Sequence, residues 1–369
     1  MGADFYLIIS PPRTYFFDMS RFSLTVGIPT YNRPEALLRR LNELDNFAEH
    51  IDRVIICDNS ALLNDETKHR CAENPNWHYE KNPFNLGWGP NLLKAIGLTE
   101  DTTHFWVRGD DDQITISQIN AVLEANLQED EFLILDSNAQ NAFVGQGLEQ
   151  FCENFRKIQS MGWLSMLVIP TKLAKQALAT AYWGVSTGYP HFSLVIGMFL
   201  KNPNLKFHVV PFEFSLSEFR DVGEKSGQRW AFFNLCIKAF SRTAETIPDP
   251  RLRRIYLREW RKSQTFRNIK KLVAMKIGLI RAEPISFSTL SPLLSLDNAN
   301  RIPLFVVLYL GSKVPRSLFQ YVVAIWAGRQ SQADLIKLNL AMIQPSQKFA
   351  ERLNCLQQIP QEEIVSTVY

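Results

Sequence analysis

The chain has 369 residues, 46% of them hydrophobic, and a formal net charge of +3. That length supports one large domain or two smaller ones with ample core, and a charge this close to balance excludes a global nucleic-acid-binding signature. The five cysteines (Cys57, Cys71, Cys152, Cys236 and Cys355) are odd in number and form no C-x-x-C pair. This argues against a disulfide framework or a zinc site and for reduced, buried thiols in a cytoplasmic setting.

Residues 1–20 lack a basic start and a long apolar run, and no Ser or Thr stands where myristoylation would require one. They are read as a poorly ordered leader. Residues 22–28 form a β-branched apolar run that predicts a strand ended by Pro29. Behind Pro34, the spacing of Leu37, Leu38, Leu41 and Leu44 predicts a helix. Residues 53–57 predict a second buried strand, ended by Asp58, Asn59 and Ser60, and residues 78–80 a short third. Residues 91–96 read as helix, and 104–107 and 131–136 as strands. A strand roughly every 25–30 residues with helices between them is the rhythm of βα units, and near-continuous apolar strands point to a mostly parallel sheet covered on both faces. In such sheets ligands bind outside the carboxyl ends of the strands, which brings residues 29–33, 58–60 and 109–112 to one edge.

The strongest chemical signal is Asp110-Asp111-Asp112, directly after an apolar strand. Adjacent carboxylates repel, and a divalent cation relieves the repulsion. Mg²⁺ takes one or two protein carboxylates and completes its shell with phosphate and water. The run therefore reads as a site for Mn²⁺ or Mg²⁺ with a diphosphate; the alternative is a solvated acidic turn capping the next helix. There is no G-x-G-x-x-G or G-x-x-x-x-G-K-[ST] after the first strand, so neither a Rossmann loop nor a P-loop holds a nucleotide.

The segment Ser23-Leu-Thr-Val-Gly-Ile-Pro-Thr-Tyr-Asn-Arg-Pro34 resembles the opening of the inverting family 2 glycosyltransferases. The resemblance continues in order through Val54-Ile-Ile-Cys-Asp-Asn-Ser60, Asn85-Leu-Gly-Trp-Gly-Pro-Asn91 and the aspartate run, which resembles the family's D-x-D; it covers roughly residues 22 to 215. It implies the α/β GT-A fold and a hexosyltransferase-type enzyme. A sugar would pass, with inversion, from a nucleoside diphosphate sugar, UDP- or dTDP-linked, to a glycan or lipid-linked glycan acceptor. On this resemblance Pro29, Thr30, Tyr31 and Arg33 line the base and ribose pocket, and Asp58 with Asn59 meets the nucleobase imide. Asn85, Gly87 and Asn91 close over the nucleotide, and Arg108, Gly109, Asp110 and Asp111 complete the donor site. Each has a plainer alternative: Asp58 as a turn former, Arg33 as a surface ion pair, Gly87 as a turn glycine. The metal ligands are Asp110 with Asp112, or Asp111 with Asp112; Asp112 belongs to both sets. The family's usual late acidic pair is missing. His191, in Tyr189-Pro190-His191, stands near its place as a general base or as a hydrogen-bonded structural histidine, with Asp136, Glu213, Glu218 and Asp221 in reserve. Tyr-Pro-His resembles the O-antigen, abequosyltransferase-like branch. A nucleotidyltransferase, or a non-catalytic glycan- or membrane-binding protein on the same fold, are the rival readings.

Residues 21–245 are expected to form the GT-A domain and 246–369 a helical C-terminal region. Between 251 and 281 eleven Lys and Arg face one acid, Glu259, with apolar residues near helical spacing. Such a helix suits peripheral binding to the anionic inner face of the cell membrane, or else packs its apolar side on the domain. The apolar runs within 302–326 are too short to span a bilayer.

Overall fold

Alternation along the strands builds the core. Leu24, Val26 and Ile28 share one face of the sheet with Val54, Ile56, Trp106, Leu133 and Leu135. Ile55, Cys57, Phe105, Phe132 and Ile134 occupy the other. A computed structural model describes residues 22–61, 65–110, 112–136, 139–158, 164–187, 189–212, 242–260, 306, 309–311 and 313–315. In chain order its elements are β1 (Leu24–Thr30), α1 (Pro34–Asp45), β2 (Arg53–Asp58), α2 (Asp65–Glu73), β3 (Trp77–Lys81), α3 (Trp88–Leu98), β4 (His104–Val107), α4 (Ile116–Glu124), β5 (Glu131–Asp136), β6 (Phe143–Gln146), α5 (Gly147–Asn154), β7 (Leu167–Pro170), α6 (Thr171–Gln176), α7 (Leu178–Trp183), α8 (Pro190–Lys201) and β8 (Lys206–Pro211).

The strand order is β3-β2-β1-β4-β7-β5-β8-β6. Strands β1 to β4 pair in parallel as expected. Short β7 runs antiparallel between β4 and β5, and β6 antiparallel to β8. Because β7 opposes both neighbours, β5 and β8 run the same way as β4. The carboxyl ends of β1, β2, β4, β5 and β8 therefore share one edge.

Strand β1 runs on through Pro29 to Thr30 instead of stopping at the proline. Gly27 O accepts from Arg108 N on the β4 side, where pairing ends. Pro29, two residues on, turns its nitrogen to that same unpaired side, so the missing N–H costs no ladder bond. The expected helix behind Pro34 is α1, with Leu37, Leu41 and Leu44 buried.

Both faces are covered: α1 and α4 lie against one, and α3, α5 and α8 against the other. Residues 250–260 are helical, and Leu252, Tyr256 and Trp260 enter the second core, with the Tyr256 ring 4.4 Å from that of Phe155. Arg251, Arg254 and Arg258 stay exposed on this helix, and Arg251 pairs with Glu149 at 2.7 Å. At this start of the basic segment the apolar side packs on the domain. The leader and residues 261–300 lie outside the described residues. Burial pushes the thiols of Cys57 and Cys152 up to about 12 and that of Cys71 up to about 11, which keeps all three protonated.

Candidate active site

Three side chains join at the exit of β1. Asp110 is buried, and its Oδ2 accepts from the Thr30 hydroxyl at 2.7 Å while its Oδ1 accepts from Arg33 Nη1 at 2.9 Å. Between Thr30 and Arg33, Tyr31 is exposed and Asn32 adopts a left-handed φ of 54°. The Asn32 N–H donates to Ser60 Oγ at 2.8 Å, tying the loop after β1 to the loop after β2.

Asp58 closes β2 and is only 1% exposed. Its Oδ1 accepts from the Ser60 N–H at 2.7 Å, as in an Asx turn, and its Oδ2 accepts from the Tyr79 hydroxyl at 2.6 Å. The next residue enters a buried amide network. Asn59 Oδ1 accepts from Asn82 Nδ2 at 2.8 Å and from Leu86 N at 3.2 Å, and Asn59 Nδ2 donates to Gly87 O at 3.1 Å. Asn82 Nδ2 also donates to Asn91 Oδ1 at 2.7 Å, and Asn91 Nδ2 donates to Cys57 O at 2.8 Å. Lys94 donates to Asn82 Oδ1 and to Glu80 Oε1, both at 2.6 Å. The Lys94 hydrogen bond holds the Glu80 carboxyl below its usual range against the opposing effect of burial. Asn59 and Asn91 thus brace the segment 82–91 from within, while Asn85 and Gly87 lie exposed on it. Gly87 has φ 81° and ψ 161° where α3 begins, a backbone only glycine adopts readily.

The aspartate turn is braced from beneath. Arg108 is buried with its guanidinium over the Trp106 ring, 4.8 Å from the centroid. It donates to Ser165 O at 3.2 Å and also to Gln113 O. Trp106 Nε1 donates to the same Ser165 carbonyl at 2.8 Å. Asp112 is half-buried, and its Oδ2 accepts from Gly109 N at 3.0 Å and from the Ser165 hydroxyl. Asp111 lies outside the described residues.

The sequence profile of "Glycosyl transferase family 2" matches residues 25–194. That stretch, a little under half of the chain, is similar to the family 2 glycosyl transferases, and the protein is a glycosyltransferase. Among solved structures, TarS 1–349 of S. aureus is 13% identical over 82% of this chain and 91% of that one, with a TM-score of 0.47. TarS 1–349 in complex with UDP is 12% identical over the same shares, with a TM-score of 0.44. No curated protein matches the chain. The similarity to that family rests on the profile, and the GT-A fold on the profile with the strand order.

In this glycosyltransferase the edge gathers Thr30, Tyr31, Arg33, Asp58, Asn85, Gly87 and the aspartate turn. The residues fit a single-carboxylate cation site. Among the described residues no three His, Cys, Asp or Glu side chains form a metal cluster. Among the described residues Asp112 is held by neutral donors, both on Oδ2, which leaves Oδ1 for a cation completed by phosphate and water.

His191, one residue into α8, is buried, and its ring centroid is 6.3 Å from that of Trp88, 5.5 Å from Tyr189 and 4.7 Å from Phe192. Trp88 opens α3 beside Gly87 and is 44% exposed, so His191 lies directly behind the rim. Asp136, also buried, ends β5 on the shared edge. Glu213, Glu218 and Asp221 lie outside the described residues. The sequence reading missed Tyr79, Asn82 and Ser165, which touch motif residues from segments without a motif of their own, and Lys94, which holds Asn82. For Tyr79 the signal was present: a tyrosine in a strand next to a strand ending in aspartate.

Proposed function

We propose that this glycosyltransferase moves a sugar, with inversion and with a divalent cation, from a UDP- or dTDP-sugar to a glycan acceptor carried on lipid. The observation that supports this best is Asp112, whose Oδ1 is unclaimed among the described residues at the edge where β1, β2 and β4 end. When bound, Mn²⁺ or Mg²⁺ supplies positive charge to the leaving diphosphate.

The chain's own residues do the rest. Asp58 accepts the imide N–H of uracil or thymine, which cytosine lacks, and the Ser60 amide and Tyr79 hydroxyl hold its carboxylate in place. Each oxygen of the ionised carboxylate accepts more than one hydrogen bond, so the imide adds to these two donors rather than replacing them. Tyr31 flanks the base, and the Asn85–Gly87 segment closes over the nucleotide. His191 takes the proton from the acceptor hydroxyl as its oxygen bonds to the anomeric carbon. The anomeric carbon–oxygen bond to the diphosphate breaks in the same step, and the electron pair leaves with the diphosphate.

The basic residues from 251 onward draw the enzyme to an anionic cytoplasmic membrane surface, where a lipid-linked acceptor of the O-antigen type would lie. Among the described residues no helix is long and apolar enough to cross a membrane. Calorimetric titration of UDP, dTDP, GDP and CDP, each with Mn²⁺ or EDTA, into wild type and Asp112→Ala tests the donor site. Metal-dependent binding of UDP or dTDP that the variant loses is expected. Preference for CDP or GDP sinks the role of Asp58, and no binding of any of the four sinks the donor site.

A further inference from the structure

Asp110 and Asp112 stand two residues apart, yet their surroundings differ in kind. Asp112 is held by an amide and a hydroxyl, both neutral, on a single oxygen. Asp110 has a hydroxyl on one oxygen and a guanidinium on the other, at 2.7 and 2.9 Å. Its negative charge is already matched by Arg33, and a divalent cation bound to it would sit against that guanidinium and be repelled. The side chain of Asp110 is 7% exposed and that of Arg33 36%, so the carboxylate lies inside while the guanidinium reaches the edge.

We infer that Asp110 is a positioning residue that aims Arg33 at the donor diphosphate, and that the aspartate turn holds its cation without Asp110. The inference rests on the donor-site reading above. The backbone supports it. Arg33 immediately precedes α1, and its carbonyl accepts from Leu37 N at 3.0 Å, so its main chain is fixed. The 12-residue helix α1 begins at the next residue, and the positive end of a helix favours an anionic group. Thr30 completes the brace by holding Asp110 from β1. A guanidinium is suited to this task because its planar donor fork can serve a carboxylate and a phosphate at once.

The test is UDP titration into the full chain with Mn²⁺ and with EDTA, for wild type, Arg33→Ala, Arg33→Lys, Asp110→Asn, the Arg33→Ala/Asp110→Asn double variant and Asp112→Asn. Arg33→Ala is expected to weaken binding about tenfold to a hundredfold by the same factor in both media, since a charge-assisted hydrogen bond is lost. Asp110→Asn should weaken it less and keep the Mn²⁺ dependence. The double variant should bind no worse than Arg33→Ala, and Arg33→Lys should recover part of the loss. Asp112→Asn alone should lose the Mn²⁺ dependence. Loss of Mn²⁺ dependence in Asp110→Asn, or additive losses in the double variant, would overturn the positioning role and leave the donor site standing. Wild type that binds UDP in neither medium overturns the donor-site reading together with this one. If Asp110→Asn does not fold, as judged by circular dichroism, the variants at half-buried Arg33 decide: unchanged affinity in Arg33→Ala ends the proposal.

Discussion

The Tyr79 hydroxyl donates a 2.6 Å hydrogen bond to Oδ2 of Asp58, across the parallel β2–β3 pair. The acid proposed to read the base is thereby fixed by a residue of the next strand. Tyr79→Phe removes a hydrogen bond to a charged, buried group, worth about 1.5–3 kcal/mol. UDP affinity is expected to fall about tenfold or more. Asp58→Asn should bring CDP and UDP to within about threefold of each other, because the amide can donate to the cytosine ring nitrogen as well as accept from the imide. Competitive titration of the two nucleotides reads both effects; undiminished UDP preference in Asp58→Asn would remove Asp58 from base recognition.

Asn82 is the centre of the amide network, donating to Asn59 and Asn91 and accepting from Lys94. Asn82→Ala strands the buried amides of Asn59, after β2, and Asn91, on α3, together with the half-buried Lys94 on the same helix. It is expected to cost about 2–3 kcal/mol, read as a lower urea midpoint. The exposed stretch 83–88 should also become the first site of limited proteolysis. A midpoint within error of wild type would mean that water satisfies these groups.

This network marks where the sequence stops being readable. Strands β1, β2, β4 and β5 were legible because each is an apolar run ended by a proline or an acid, and the parallel order then followed from βα rhythm. The positions of Thr30, Asp58 and the aspartate turn on one edge needed nothing more than that order. The roles were harder. Asn59, Asn91 and Arg108 lie in motif segments beside the site, yet their side chains turn inward to brace it, and no spacing rule separates a bracing amide from a binding one. Strands β6 and β7 escaped because four-residue runs such as Leu167–Pro170, with no acid after them, carry too few residues for a period, and β7 owes its antiparallel place to β4 and β5 on either side.

At the opposite edge, His104 accounts for an acid-sensitive step in stability. Burial lowers it from 6.5 to about 4, although its Nε2 lies 3.0 Å from Glu131 O. Between those values the unfolded chain binds the extra proton and the folded chain does not. Stability is therefore complete above about pH 6.5 and falls as pH drops toward 4, by about 3 kcal/mol in all. Burial pushes the Glu131 carboxyl up, but the Gln128 amide, Lys206 and His208 together bring it below its usual range, so its contribution is present above the ordinary value of 4.5 and is lost as pH falls below it. Urea midpoints from pH 4 to 8 should slope in wild type and flatten in His104→Gln; parallel curves would assign the acid sensitivity elsewhere.

His191 poses the last choice, between a base and a packed ring. Its neighbours Trp88, Tyr189 and Phe192 are aromatic, which alone would make it a filler. Its position argues otherwise, because Trp88 is the exposed first residue of α3 and Gly87 beside it carries the φ of 81° that turns the chain onto the edge. A base here would reach the acceptor from behind Trp88 without competing for the nucleotide. The two roles separate in kinetics. His191→Gln as base loss lowers kcat by about 10²–10⁴ and leaves donor KM within threefold. A ring that only packs would lower the melting temperature and leave kcat near wild type in the surviving fold. Trp88→Phe keeps an aromatic wall and should keep kcat, while Trp88→Ala opens the wall and should raise the KM for acceptor more than for donor. If His191→Gln retains full turnover, the proton passes to another group on this edge, and Asp136 at the end of β5 becomes the next residue to replace.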